Sequence, residues 1–281
     1  MMSGLQGKRI ALLEGRMQGE LANLVRRHGG VPYSVPALRE EALDCRERVA
    51  AFLDRLGQGA FQVVICLTGV GVTALVREAE GLGRRAELLK GLNGVTTVCR
   101  GPKPVAALHR QGVAVTIQAQ APYTTSELLQ AMAGLALQRR GVALLHYGER
   151  NVVLTEALQA QGAHLDELCL YEWLLPTSLE PLQALVRELI AGQVDAIAFT
   201  SQVQIRHLWH VATSLGLAEA LTRALHTQRI VAVVGPTCAA ALTALGVTPH
   251  VVPTHPKMGP MVMALAAYLE RTTTDVRSQA L

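Results

Sequence analysis

Apolar residues in this chain fall into short unbroken runs, and between the runs they recur every third or fourth position. Unbroken β-branched runs read as strands covered on both faces, and the wider spacing reads as helices with one apolar side. Strands are predicted at 8–14, 31–35, 62–67, 114–118, 142–146, 165–172, 196–199, 230–234 and 250–253, with a further one opening the stretch 95–113. Helical patterns at 17–28, 47–56, 72–80, 84–89, 126–138, 152–161, 179–191, 203–215, 237–245 and 258–269 alternate with them. Such alternation implies parallel sheets with helices on both faces. Ten strands are too many for one small sheet, so two sets of five are expected. The polar segment 271–281 is predicted to be a loose tail.

One stretch, RIVAVVGPTCAAALTALG at 229–246, shows how the pattern meets chemistry. Gly235-Pro236 breaks the apolar run, and a proline fits the first turn of a helix because it has no N–H to leave unpaired. The strand, turn and helix start aim backbone N–H groups beyond the strand's carboxyl end, where an anion can be held. An echo, VTTVCRGPKPVAALHRQGV at 95–113, repeats Gly-Pro, Ala-Ala-Leu and Gly-Val in register. VICLTGVGV at 64–72 likewise matches AIAFTSQVQ at 196–204, and IALL at 10–13 matches VALL at 142–145. All these pairs lie about 130 residues apart, a period that signals a duplicated domain and not a solenoid repeat.

Composition narrows the class. Half of the 281 residues are hydrophobic and 17% are charged, so the chain can build two cores, and with 4% aromatics those cores are aliphatic. A net charge of +4 without Lys/Arg clusters argues against a nucleic-acid surface and suits an acidic small ligand. No apolar run reaches the roughly 18 residues of a membrane span, and the start of the chain lacks a signal-peptide pattern. The five cysteines have no C-x-x-C spacing; Cys66, Cys99 and Cys169 lie in strand runs and are expected to be buried, reduced thiols. A soluble, cytoplasmic monomer is expected, with neither nucleic-acid nor membrane partners.

Four short pieces then carry a resemblance: AFTS at 198–201, LTGVGV at 67–72, VVGPTCAAALTALG at 233–246 and CLYEW at 169–173. In their order and spacing the chain resembles the uroporphyrinogen-III synthase family over roughly residues 8–270. The resemblance implies an α/β fold of two similar domains, each a five-stranded parallel sheet flanked by helices, joined by two crossover segments. Domain one would comprise 1–37 plus 174–270 and domain two 38–173, with the ligand held where the strands' carboxyl ends of both halves face a common cleft. It also implies the substrate, hydroxymethylbilane, a linear tetrapyrrole with eight carboxylates. Loss of its hydroxyl as water and closure with inversion of the last ring through a spiro intermediate would need positioning and no metal, nucleotide or other cofactor.

By the same resemblance Tyr171 would protonate the leaving hydroxyl; on the residues alone it also reads as a strand-end tyrosine at a hinge. Candidate carboxylate contacts are Thr68 and Gly69, Thr200, Ser201 and Gln202, and Gly235, Thr237 and Cys238. Ordinary N-capping explains the hydroxyls equally well. Three positions depart from the family pattern: Lys103 where a threonine or small residue is usual, Gly69 where serine often stands, and Cys238 in place of a frequent second hydroxyl. Arg100 and Lys103 could instead supply charge to the substrate's acids, or be solvated loop residues. His207 and His210 have i,i+3 spacing but no evident third ligand, so packing is the expected role. Gly69-Val70-Gly71 falls short of a dinucleotide fingerprint. Two rivals stay open: a non-catalytic tetrapyrrole or small-anion sensor of the same fold, and a two-lobed binding protein for another anion.

Overall fold

A computed structural model of the chain describes residues 4–15, 17–146 and 148–279, with side chains to residue 272. In chain order it begins β1 (Arg9–Leu12), α1 (Gln18–Arg27), β2 (Val31–Ser34), β3 (Arg39–Ala42) and α2 (Arg46–Gly57). It continues β4 (Val63–Cys66), α3 (Gly69–Gly81), α4 (Arg85–Asn93), β5 (Thr96–Cys99), α5 (Pro102–His109), β6 (Ile117–Gln118) and α6 (Thr125–Ala131). Then come β7 (Gly141–Leu145), α7 (Val152–Ala160), β8 (His164–Leu168), β9 (Tyr171–Leu174), α8 (Glu180–Ala191) and β10 (Ala196–Phe199). The last elements are α9 (Gln202–Ser214), α10 (Ala218–Thr227), β11 (Ile230–Val233), α11 (Pro236–Thr243) and α12 (Met258–Gln279). The chain divides into two compact units, Met1–Arg39 with Leu174–Leu281, and Glu40–Trp173. At the two points where it passes between them, β3 and β9 pair as a two-stranded ribbon.

The first unit holds a parallel sheet in the order β11-β10-β1-β2, with Ile10 opposite Ala196 and Ala198 opposite Ala232. Alternate residues of a strand face opposite sides. Ala11, Ile197, Phe199, Val231 and Val233 accordingly pack against α8 to α11, while Ile10, Leu12, Ala196, Ala198 and Ala232 pack against α1 and α12. That double cover is why these strands are apolar without alternation. Fully burying Phe199 alone contributes about 2–3 kcal/mol.

The second unit holds five parallel strands in the order β6-β5-β4-β7-β8. Val64, Cys66, Cys99, Ala143 and Leu145 face α2 to α5, and Val63, Ile65, Leu67, Val142 and Leu144 face α6 and α7. Four of its strands, β5-β4-β7-β8, repeat β11-β10-β1-β2 place for place. Each unit therefore takes two strands from one copy of the sequence repeat and the remainder from the other.

The structure departs from the sequence expectation at several elements. Among the described residues the sheet of the first unit has four strands, and the run at 250–253 contributes a single bridge, Val251 to Ala232. Pro249 and Pro253 bracket that run and supply no ladder donors. The run predicted at 165–172 breaks after Leu168, so Tyr171 opens β9. Helix α10 was not read from the sequence, although Leu221, Ala224 and Leu225 form its buried stripe. Helix α12 runs on to Gln279 where a loose tail was expected from Arg271: the segment after Leu269 holds no Gly or Pro, and the Thr272 hydroxyl bonds back to the Tyr268 carbonyl at 3.2 Å. Residues 280 and 281 of that expected tail lie outside the described residues.

Candidate active site

Both sheets present helix starts at their strands' carboxyl ends, the place where α/β proteins bind ligands. In the second unit Thr68 leaves β4 in extended conformation and caps α3, its hydroxyl accepting the Gly71 N–H at 3.0 Å. The Tyr171 hydroxyl stands 2.9 Å from the same Thr68 oxygen. Tyr171 is 3% exposed, and its ring meets Trp173 edge-on at 6.1 Å. Gly148, with φ +79, runs beneath this pair; a Cβ there would lie 2.8 Å from the Trp173 ring and 3.0 Å from the Tyr171 ring. Gly69 begins α3 against α5, so close that a Cβ would lie 2.8 Å from the Lys103 carbonyl oxygen.

Lys103 is exposed in the first turn of α5, and Arg100 is half-buried at the exit of β5 with its N–H on the Cys66 carbonyl at 3.1 Å. Gly101, which precedes α5, has no side chain to cap with and lies under the Tyr123 ring, 3.2 Å from where a Cβ would stand. Pro102 and Pro104 both lack N–H groups, which leaves this helix start poor in donors. Lys103 places a cation where those donors are missing.

A polar network joins His146, at the end of β7, to Arg150, Asn151 and β8. His146, 2% exposed, accepts the Asn151 N–H on Nδ1 at 3.2 Å and faces Glu167 with Nε2 at 2.7 Å, so its neutral ring carries the proton on Nε2. Arg150 donates two bonds to Glu167, each 2.8 Å, and the Thr155 hydroxyl adds a third donor at 3.1 Å. Asn151 caps α7 through the Leu154 N–H at 3.1 Å and reaches Thr125 at 3.0 Å. The Arg150 guanidinium, helped by His146 and Thr155 against partial burial, holds the Glu167 carboxyl down to about 2. Burial pushes His146 below its usual value, opposed by Glu167.

In the first unit the hydroxyls are largely spent on structure. Ser201 and Gln204 form a capping box at α9, and the Thr200 N–H bonds Gln204 Oε1 at 2.8 Å. The Thr200 hydroxyl donates to the Glu14 carboxylate and receives the Gln204 amide at 2.8 Å. Gln202, the first residue of α9, is half-buried. Helix α11 differs: Gly235 has no side chain to cap with, and the Thr237 and Cys238 N–H groups precede the first helical bond, Ala239 N–H to the Gly235 carbonyl at 3.1 Å. Thr237 is exposed. The Cys238 side chain is 3% exposed within the core and burial pushes its thiol to about 12, which leaves its backbone N–H as the group at the helix start.

A family model described as uroporphyrinogen-III synthase HemD matches residues 19–263. The chain belongs to the uroporphyrinogen-III synthase family. It is similar to a mutant uroporphyrinogen III synthase of the extremely thermophilic bacterium Thermus thermophilus, with 27% identity and a TM-score of 0.78 over 94% of this chain and 99% of that one. The uroporphyrinogen-III synthetase of Helicobacter pylori 26695, at 16% identity and a TM-score of 0.52 over 93% of this chain and 99% of that one, shares the fold. The uncharacterized protein YjjA of Bacillus subtilis (strain 168) is 29% identical over 96% of this chain and 99% of its own. The family and the Thermus thermophilus enzyme support uroporphyrinogen-III synthase function.

Within this synthase-family chain the structure also brings forward residues that sequence reading passed over. Gln204 was legible, because Ser-x-x-Gln before an apolar run is a capping-box signature. Glu14 and the His146–Glu167 pair were signalled only as polar residues in or beside apolar strands. Their partners lie far away in sequence or across a strand pair, which no local pattern shows. His207 bonds the Ala37 carbonyl at 2.8 Å, a packing contact. Among the described residues, no group of His, Cys, Asp or Glu is placed to hold a metal ion, and no helix is long and apolar enough to cross a membrane.

Proposed function

We propose that this chain cyclises hydroxymethylbilane to uroporphyrinogen III, losing water and inverting the last pyrrole ring through a spiro intermediate. The observation that carries the reading is the Tyr171 hydroxyl held 2.9 Å from Thr68 at the start of α3, on the carboxyl-end rim of its sheet. A phenol is a weak acid suited to protonating a leaving hydroxyl, and a positioned acid of this kind contributes about 10² to 10⁴-fold. The proton passes from Tyr171 to the hydroxyl oxygen, the carbon–oxygen bond breaks with its electron pair leaving in water, and the pyrrole nitrogen stabilises the azafulvenium cation. Ring closure then releases a proton that restores the phenol.

In the second unit Lys103 and Arg100, beside the donor-poor start of α5, are the groups suited to the substrate's acids, and in the first unit the Thr237 and Cys238 N–H groups at the α11 start are suited to a carboxylate. Ser201 acts mainly as the cap of α9, and the Thr200 hydroxyl is already engaged with Glu14 and Gln204. The bound chain must be held in the folded conformer that favours inversion, because closure without guidance gives the uninverted isomer. The protein acts without a cofactor, as a monomer in the cytoplasm.

The test couples the purified protein to a bilane-generating deaminase, oxidises the products and separates the porphyrin isomers by chromatography. Type III isomer in large excess over the enzyme-free control is expected. A mixture no richer in type III than that control removes the catalytic reading and leaves a sensor of the same fold.

A further inference from the structure

We infer that Thr68 is a positioning residue for Tyr171: its hydroxyl donates to the phenol oxygen and holds the phenolate that forms when Tyr171 gives up its proton. This rests on the acid role proposed for Tyr171 and assigns the neighbour that makes that role workable.

A threonine hydroxyl has one proton and two acceptor sites. One site on Thr68 is filled by the Gly71 N–H at 3.0 Å, and the phenol lies at 2.9 Å. If Tyr171 donated to Thr68, its proton would be tied up and useless to a substrate. With Thr68 donating, the tyrosine proton turns elsewhere and the phenol oxygen already has a donor for the charge it acquires. Two features favour this direction. The Gly71 N–H polarises the threonine hydroxyl, and the positive end of α3 favours negative charge beside its first turn.

The comparison with the matching helix of the other unit is informative. Ser201 caps α9 in a box closed by Gln204, whose amide fills the space around the cap. Three residues after Thr68 stands Gly71, which has no side chain to close such a box; a Cβ there would lie 3.3 Å from the Thr68 oxygen and 3.3 Å from Leu145. The phenol of Tyr171 bonds the cap oxygen instead. Thr68 is thus a cap as Ser201 is, with a second task that Ser201 lacks.

Three variants separate the tasks. Thr68→Ser keeps both cap and donor; Thr68→Asp caps as well as threonine but, ionised, cannot donate; Thr68→Val loses both. Steady-state turnover of hydroxymethylbilane by the full chain is expected to stay within about threefold for Ser. It should fall about 10- to 100-fold in kcat for Asp and Val, with KM changed far less. The ultraviolet ionisation spectrum of Tyr171, taken as each protein minus its Tyr171→Phe counterpart, should move to higher pH in both slow variants. Thr68→Asp with unchanged kcat and an unmoved phenol titration overturns the inference, whatever happens to Val. Tyr171→Phe turning over at the wild-type rate overturns the acid role itself, so the two failures are told apart.

Discussion

Gly69 lies against the backbone of Lys103, where a Cβ on Gly69 would come within 2.8 Å of the carbonyl oxygen and 3.2 Å of the carbonyl carbon. Backbone cannot swing aside as a side-chain tip can, so the starts of α3 and α5 approach this closely only because residue 69 has no side chain. Gly69→Ser is expected to force the two helix starts apart and cost about 1–3 kcal/mol, read as a lowered urea midpoint with an unchanged slope. An unchanged midpoint would mean that the glycine is a matter of history and not of space.

Lys103 stands where two prolines have removed N–H donors, whereas the corresponding start of α11 keeps those of Thr237 and Cys238. Replacing a charged hydrogen bond costs about 1.5–3 kcal/mol. Lys103→Met should therefore raise KM for the polyacidic bilane about tenfold or more with little change in kcat, and the effect should shrink as salt is added. A KM that ignores the substitution would return Lys103 to the solvent.

Tyr171→Phe removes one oxygen from a buried ring and leaves its edge contact with Trp173. Turnover is expected to fall by about 10² to 10⁴-fold, while the melting temperature moves by only a few degrees. Isomer chromatography of the residual product adds a second reading: type III should persist among what is made, because positioning survives the loss of the acid.

Acid should loosen the second unit in two stages. His146 sits below its usual 6.5 in the folded chain, so as pH falls below that value the unfolded chain binds a proton sooner and stability drops. Glu167, held at about 2 against an ordinary 4.5, adds stability that is present above 4.5 and lost as pH falls toward 2. Denaturant midpoints measured from pH 7.5 to 3 should show wild type losing stability across both windows. Glu167→Gln, less stable at neutrality, should flatten the lower window; a parallel fall in wild type and variant there would exclude Glu167 as its source.

The layered sheets were legible because the fully buried strands are unbroken apolar runs, and the doubling was legible because the Gly-Pro turns recur in register. Tyr171, Thr68 and the two Gly-Pro starts were legible as positions. What each helix start could still offer a ligand was not. Whether Ser201 is spent depends on Gln204, and whether Thr200 is spent depends on Glu14, at the exit of a strand nearly two hundred residues earlier. Cys238 looked like a rim residue until helix geometry turned its sulfur into the core. The run at 250–253 carried strand residues, but its bracketing prolines left it one bridge.

Each copy of the repeat contains counterparts of all the strands of a sheet, yet each lends one strand pair to the sheet of the other unit. A single copy of that kind could close its own sheet or trade a strand pair with a second molecule, as a symmetric swapped dimer. Joining two copies end to end makes that trade intramolecular. It also frees the two rims from having to be identical: Thr68 has Tyr171 beside it, while Thr200 bonds Glu14.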